Sequence, residues 1–212
     1  MTKPRSQGAS RRKDIIDKFM FVRHTENLDG DVTTYGYMQA VATAMYLKRS
    51  GFKPDAIVIS EMLRTWQFAM VVQAVFGLRD ITPEVDMDLS YVEVGKRHFG
   101  ERPMAFLDEV KRVRETGDYT MRHALTMSPH AQEVRGTLLK MLGRISTRII
   151  TSPTPQRVLL IGHSPHGNFA GDPATTPYGI DEGGMVLYRV LRRDGAMIGS
   201  KYIRPPLPGK SY

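Results

Sequence analysis

The sequence predicts an α/β fold, a three-layer sandwich in which a mostly parallel central sheet carries helices on both faces. Short apolar runs that stop at charged or turn residues alternate with longer segments of helical periodicity, the pattern of strand–helix–strand units. Three of those runs end in turns bearing histidine, arginine or serine, at the strand ends where open α/β sheets gather ligands. A chain of 212 residues suits one domain with a sizeable insertion better than two domains.

Lys18 to Arg23 (KFMFVR) predicts a buried strand that delivers Arg23 and His24 at its C-terminal end. Thr34 to Arg49 carries Tyr37, Val41, Ala44 and Leu47 at helical spacing, with Gly51 as the stop. Ala56 to Ile59 is a second buried strand. Ser60 is placed to cap a helix that begins near Met62 and runs through Arg64, Phe68, Val71 and Val75 to Gly77. Gly95 to Met127 is charged and mixed, with a helix from Pro103 to about Thr116, and predicts a lid insertion over about 95–127.

After Ser128 and Pro129, Val134, Leu138, Met141, Leu142, Ile145 and Ile149 form one apolar helical stripe. Val158 to Ile161 is a third buried strand ending in Gly162, His163 and Ser164. Met185 to Leu191 and Ala196 to Ile203 flank Asp194-Gly195, a hairpin signal. The expected organisation is a basic tail over 1–17, one domain over 18–203 and a short tail over 204–212.

Composition narrows the function classes. Hydrophobic residues at 41% and charged residues at 25% sit near the averages for globular proteins and indicate neither a disordered chain nor a coiled coil. The absence of cysteine excludes disulfides, thiolate metal sites and a cysteine nucleophile. His98, His123, His130 and His166 form no ligand pair at helical spacing, so no metal is expected. The formal charge of +8 belongs to the ends: Lys3, Arg5, Arg11, Arg12 and Lys13 stand with no acid, and Arg192, Arg193, Lys201, Arg204 and Lys210 face only Asp194. Residues 14–191 are left with 20 basic and 21 acidic residues, so no specific nucleic-acid partner is expected. With no apolar run of signal or membrane-spanning length, the expectation is a soluble, cytoplasmic protein without membrane association.

Two histidines and two arginines at strand ends suit transfer of a dianionic phosphoryl group. Arginine forks grip phosphate oxygens in pairs and stay charged. A neutral imidazole can attack phosphorus and divide one hard step into two easier ones. Each residue alone reads as structural, Arg23 in a salt bridge and His24 in a turn; their weight comes from acting together.

FVRHTEN, DVTTYGYMQA, SEMLRTWQFA and VLLIGHS, in that order, resemble the motifs of the histidine phosphatase superfamily, the phosphoglycerate-mutase-like proteins. The resemblance runs from about Phe21 to Ser164, and EGGMVLYRV resembles the late strand of that family. It implies His24 as nucleophile, Arg23 and Arg64 as phosphate-binding residues, and His163 as the second histidine at the phosphoryl oxygens. Thr25 stands where the family usually has glycine. Glu26, Asn27 and Ser164 are candidate pocket residues. In LSYVEVGKRHFGE, Glu93 is the candidate proton donor and Glu101 the alternative, because Lys96 replaces the glutamate of the mutase register.

The implied activity is phosphomonoester hydrolysis through a phosphohistidine on His24, with no cofactor. The implied substrate is a phosphorylated small molecule, with a phosphoprotein as the alternative. A mutase-type phosphotransferase and a non-catalytic phosphate-ligand or protein-binding member share the same pattern. Neither the oligomeric state nor the specific substrate is encoded in these motifs.

Overall fold

The computed structural model describes residues 15–90, 93, 96, 131–148, 152–163, 180, 182–206 and 208. The expected lid over 95–127, with its helix from Pro103, lies outside the described residues apart from Lys96, as do most of the N-terminal tail, Glu101 and Ser164.

The described chain forms β1 (Ile16–Arg23), β2 (Asn27–Leu28), β3 (Asp31–Val32), α1 (Thr34–Arg49), β4 (Ala56–Ile59) and α2 (Leu63–Phe76). These are followed by β5 (Glu84–Val85), a 3-10 turn (Met87–Leu89), α3 (Ala131–Arg148), β6 (Arg157–Gly162), β7 (Met185–Leu191) and β8 (Ala196–Ile203). The main sheet has the order β5-β4-β6-β1-β7-β8. Strands β5, β4, β6 and β1 run parallel, whereas β7 and β8 are antiparallel to their neighbours. The mostly parallel α/β architecture expected from the sequence is therefore present.

Alternation along β1 divides the core in two, because successive strand side chains point to opposite faces. Phe19 and Phe21 pack with Met141, Leu142 and Ile145 of α3. Met20 and Val22 pack with Ala40, Ala44 and Leu47 of α1 and with Phe68, Ala69 and Val72 of α2. Burying both faces explains why the strands read as continuous apolar runs.

Several boundaries differ from the sequence reading. Strand β1 begins at Ile16, so Ile16 and Asp17 belong to the sheet. Asp17 is fully buried and paired with the guanidinium of Arg192, while Ser146 Oγ donates to its Oδ2 at 2.9 Å. Helix α1 has the expected limits but a different inward face: Gly36, Ala40, Thr43, Ala44 and Leu47 are buried, and Tyr37 and Val41 are 40% and 45% exposed. Helix α2 ends as expected, at Gly77 with φ of 69°. The β7–β8 hairpin turns through Gly195, also at φ of 69°.

Close approach fixes Gly36. A Cβ there would lie 2.1 Å from the carbonyl oxygen of Glu26, so the loop after β1 rests directly on α1.

Candidate active site

Arg23 and His24 leave the end of β1 beside β6. The register pairs Arg23 with Gly162, and the His24 N–H donates to the Gly162 carbonyl at 2.9 Å. His24 and His163 therefore stand one step beyond the last paired residues of adjacent parallel strands. Their ring centroids are 4.9 Å apart with planes at 61°, close to the ordinary spacing between neighbouring strands, about 4.8 Å.

His24 is buried. Its Nδ1 lies 2.7 Å from the Thr25 carbonyl oxygen. A carbonyl can only accept, so Nδ1 carries the proton and Nε2 keeps its lone pair. Burial lowers the imidazole pKa to about 4; the bond to Thr25 opposes that shift, and the charges of Arg64 and Arg23 add to it. The ring is thus neutral at physiological pH. Thr25 is itself fully buried, and among the described residues only Asp29 is a non-glycine at positive φ, so the turn accepts a threonine without left-handed strain.

His163 is held from both sides. Arg64 Nη2 donates to its Nδ1 at 3.3 Å, and its Nε2 lies 2.9 Å from Ser60 Oγ. Arginine is only a donor, which places the ring proton on Nε2, facing the Ser60 oxygen. Ser60 Oγ lies 3.2 Å from Thr65 Oγ1, which in turn donates to the Met62 carbonyl at 2.7 Å. Ser60 was expected to cap α2; the N-cap is Met62, without a side-chain bond, and Ser60 instead orients His163. Arg64 Nε is buried and meets no acceptor among the described residues. A buried guanidinium nitrogen of this kind favours an anion.

Arg23 turns towards the other side of β1. Its Nη1 donates to the Ile180 carbonyl at 2.9 Å, and Nη2 lies 3.5 Å from Glu182 Oε1. The pair leaves both side chains about 30% exposed. Glu26 braces the loop: its N–H donates to Gln39 Oε1 at 2.9 Å, and its carboxylate accepts from Thr33 Oγ1 at 3.2 Å. Asn27 is paired with Val32 in the β2–β3 ribbon.

Glu93 is tied through Ser90 to Glu61, in the segment that follows β4. Its N–H donates to Ser90 Oγ at 3.2 Å, and the Ser90 hydroxyl donates to Glu61 Oε1 at 2.6 Å. Lys96 Nζ bonds Glu93 Oε1 at 2.6 Å, and the Glu93 side chain is 33% exposed. The segment leading to it is anchored by Arg144 of α3, whose Nη2 bonds Asp86 Oδ2 at 2.7 Å and Asp88 Oδ2 at 2.9 Å. The sequence places Ser60 in one of the strand-end turns but as a helix cap, and gives no role to Thr65, Glu61 or Ser90. Ser60 had a usable signal, its position directly after a buried strand beside a histidine-bearing one, whereas Glu61 and Ser90 meet only through the fold.

No protein-family model and no curated protein matches the chain. Solved structures do match it. Phosphoglycerate mutase from Bacillus anthracis str. Sterne aligns with a TM-score of 0.60 at 14% identity, over 88% of this chain and 92% of that one. Mycobacterial glucosyl-3-phosphoglycerate phosphatase aligns with a TM-score of 0.57 at 18% identity, over 88% and 97%. The protein histidine phosphatase SixA, complexed with tungstate, aligns with a TM-score of 0.54 at 16% identity, over 88% and 94%. At these identities the likeness is one of fold: the chain has the phosphoglycerate-mutase type of α/β sandwich, shared by a mutase and by phosphatases.

Proposed function

We propose that this protein hydrolyses phosphomonoesters in two steps through a phosphohistidine on His24. The observation that carries the proposal is the state of His24: a buried, neutral imidazole, its Nδ1 proton fixed by Thr25 and its Nε2 lone pair on the ring edge opposite that bond. Nε2 attacks phosphorus, the ester bond breaks, and Glu93 donates a proton to the departing oxygen. The imidazolium that results keeps its Nδ1–H, and the Thr25 carbonyl stabilises its charge. Water then attacks the phosphohistidine, giving its proton to Glu93, and inorganic phosphate leaves with neutral His24 restored. Acid and base are one residue in alternate states.

Arg64, Arg23 and His163 hold the phosphoryl oxygens, and charge stabilisation of this kind supplies most of the catalysis in phosphoryl transfer. The buried Nε of Arg64 supports its role. Arg23 exchanges the Ile180 carbonyl or Glu182 for substrate. The substrate is a phosphorylated small molecule.

The test is trapping. Brief reaction of the purified protein with p-nitrophenyl phosphate should leave an acid-labile, base-stable phosphoryl group on His24, and His24→Ala should abolish both label and turnover. Full turnover by His24→Ala would refute the mechanism.

A further inference from the structure

Glu61 uses one carboxylate oxygen and buries the other. Its Oε1 accepts from the Ser90 hydroxyl at 2.6 Å, while Oε2 is buried and meets no partner among the described residues. An oxygen shut away from water without a donor costs stability, so a carboxylate kept in that state points to the use made of its other oxygen. Glu61 also stands in the chain between two residues that hold the second histidine. Ser60 Oγ lies 2.9 Å from His163 Nε2, and Arg64 Nη2 donates to His163 Nδ1 at 3.3 Å.

Ser90, at the other end of that bond, is fully buried, with extended backbone angles of φ −79° and ψ 117°. Its Oγ accepts the N–H of Glu93, which is three residues on and helical, at 3.2 Å. This is the arrangement of a helix N-cap, and Ser90-Tyr91-Val92-Glu93 has the serine-to-glutamate spacing of a capping box. The box is made in one direction only. The Ser90 N–H donates to the Met87 carbonyl at 3.2 Å, and the Glu93 carboxylate bonds Lys96 instead of reaching back. The cap therefore places Glu93 without consuming its carboxyl group.

A hydroxyl has one proton and two lone pairs. Glu61 takes the proton of Ser90, which turns a lone pair towards the Glu93 N–H. The other anchor of this segment, Arg144 on Asp86 and Asp88, grips it ahead of Ser90 and leaves the direction of the hydroxyl unset. Resting on the phosphatase reading and on Glu93 as its proton donor, we propose that Glu61 is a positioning residue. Through the Ser90 hydroxyl it locks the helix cap that fixes Glu93 relative to the strand-end turn holding His163. It touches neither substrate nor the proton in transit, so its loss is felt only where the leaving oxygen must be protonated. A displacement of about 1 Å in such a group can cost about 10²-fold in rate.

The probes are β-glycerophosphate, whose alkoxide leaving group needs a proton, and p-nitrophenyl phosphate, whose leaving group does not. Glu61→Ala should lower kcat/KM for β-glycerophosphate about 10- to 100-fold and for p-nitrophenyl phosphate by less than about threefold. Glu61→Gln, whose amide oxygen accepts the same bond from Ser90, should recover most of the loss. Ser90→Ala should repeat it, and Glu61→Ala combined with Ser90→Ala should be no worse than either alone. Equal effects on the two substrates, or Glu61→Gln as impaired as Glu61→Ala, overturn the positioning role. Exchange of the Glu93 amide proton, followed by NMR, separates this role from the catalytic reading. Exchange about tenfold or more faster in Glu61→Ala, with no phosphohistidine in wild type, upholds the link from Glu61 to Glu93 and refutes the phosphatase. Phosphohistidine on His24 with unchanged exchange and an unchanged substrate ratio does the reverse. Melting curves check that each variant folds; if Glu61→Ala does not, Ser90→Ala and Glu61→Gln carry the same comparison.

Discussion

His163 receives Arg64 at Nδ1 and faces Ser60 at Nε2, so the second histidine of the site is clamped between a strand-end serine and a helix-borne arginine. The clamp orients the cation as much as the ring: Arg64, in the first turn of α2, is drawn towards the strand ends instead of into solvent. A cation is poorly placed near a helix N-terminus, and the contact with His163 offsets that cost.

Arg64→Ala should lower kcat about 10²- to 10³-fold, the usual loss when one charge-stabilising donor is removed, with a melting temperature close to wild type. Ser60→Ala should have a smaller effect, about tenfold, because it frees the ring without removing charge. Steady-state kinetics with thermal melts would check both, and equal losses from the two would argue against the clamp.

His24 should remain neutral well below the ordinary histidine range. Its imidazole signal, followed by NMR in the free enzyme, should titrate with a midpoint about 4 and not near 6.5. The linkage has a definite sign. Between pH 6.5 and 4 the unfolded chain binds a proton that native His24 does not. Stability from this group is therefore complete above pH 6.5 and declines as pH falls, by about 3 kcal/mol in total. His24→Asn should flatten that part of the stability profile.

The role of Glu93 depends on the leaving group. Glu93→Gln should slow hydrolysis of an alkyl phosphate about 10²- to 10⁴-fold. It should affect phosphorylation by p-nitrophenyl phosphate far less, because p-nitrophenolate leaves without help. A burst of p-nitrophenol followed by slow turnover would show the second step failing for lack of a base. Equal slowing of both substrates in the first step would assign the acid elsewhere.

Asp17 and Arg192 form a buried ion pair completed by Ser146 and the Gln156 N–H. Asp17→Ala strands the Arg192 charge and should destabilise the protein by about 3–5 kcal/mol, measured by urea unfolding. Replacing both residues with apolar ones of similar volume should recover much of that loss.

Much of this architecture is legible in the chain itself. The strand ending at Arg23, both limits of α1, the Gly77 stop and the Asp194-Gly195 hairpin follow from apolar runs, spacing and turn chemistry that act within a few residues. The rest depends on contacts the sequence does not order. The inward face of α1 is set by where the Glu26 carbonyl meets Gly36, so the apolar Tyr37 and Val41 mislead a periodicity argument. Asp17 looks like part of a polar tail until Arg192 reaches it. Arg23 is found against Glu182, and Glu93 beside Lys96, through packing between segments distant in sequence or through a turn with no strong signal. At the candidate site, the histidines and Arg64 are readable as motif residues, whereas the bonds that hold them, Ser60 to His163 and the Thr25 carbonyl to His24, are not.

The parallel register between β1 and β6 has one more consequence. Because His24 and His163 extend the same rung of a backbone ladder, their separation is counted in whole residues. Side-chain changes nearby can retune charge, access or selectivity, but they cannot slide one ring past the other by a fraction. Inserting or deleting a single residue in β6 would turn His163 to the opposite face of the sheet. The distance between the two imidazoles is thus a digital property of the fold, protected from gradual drift while the walls around it change.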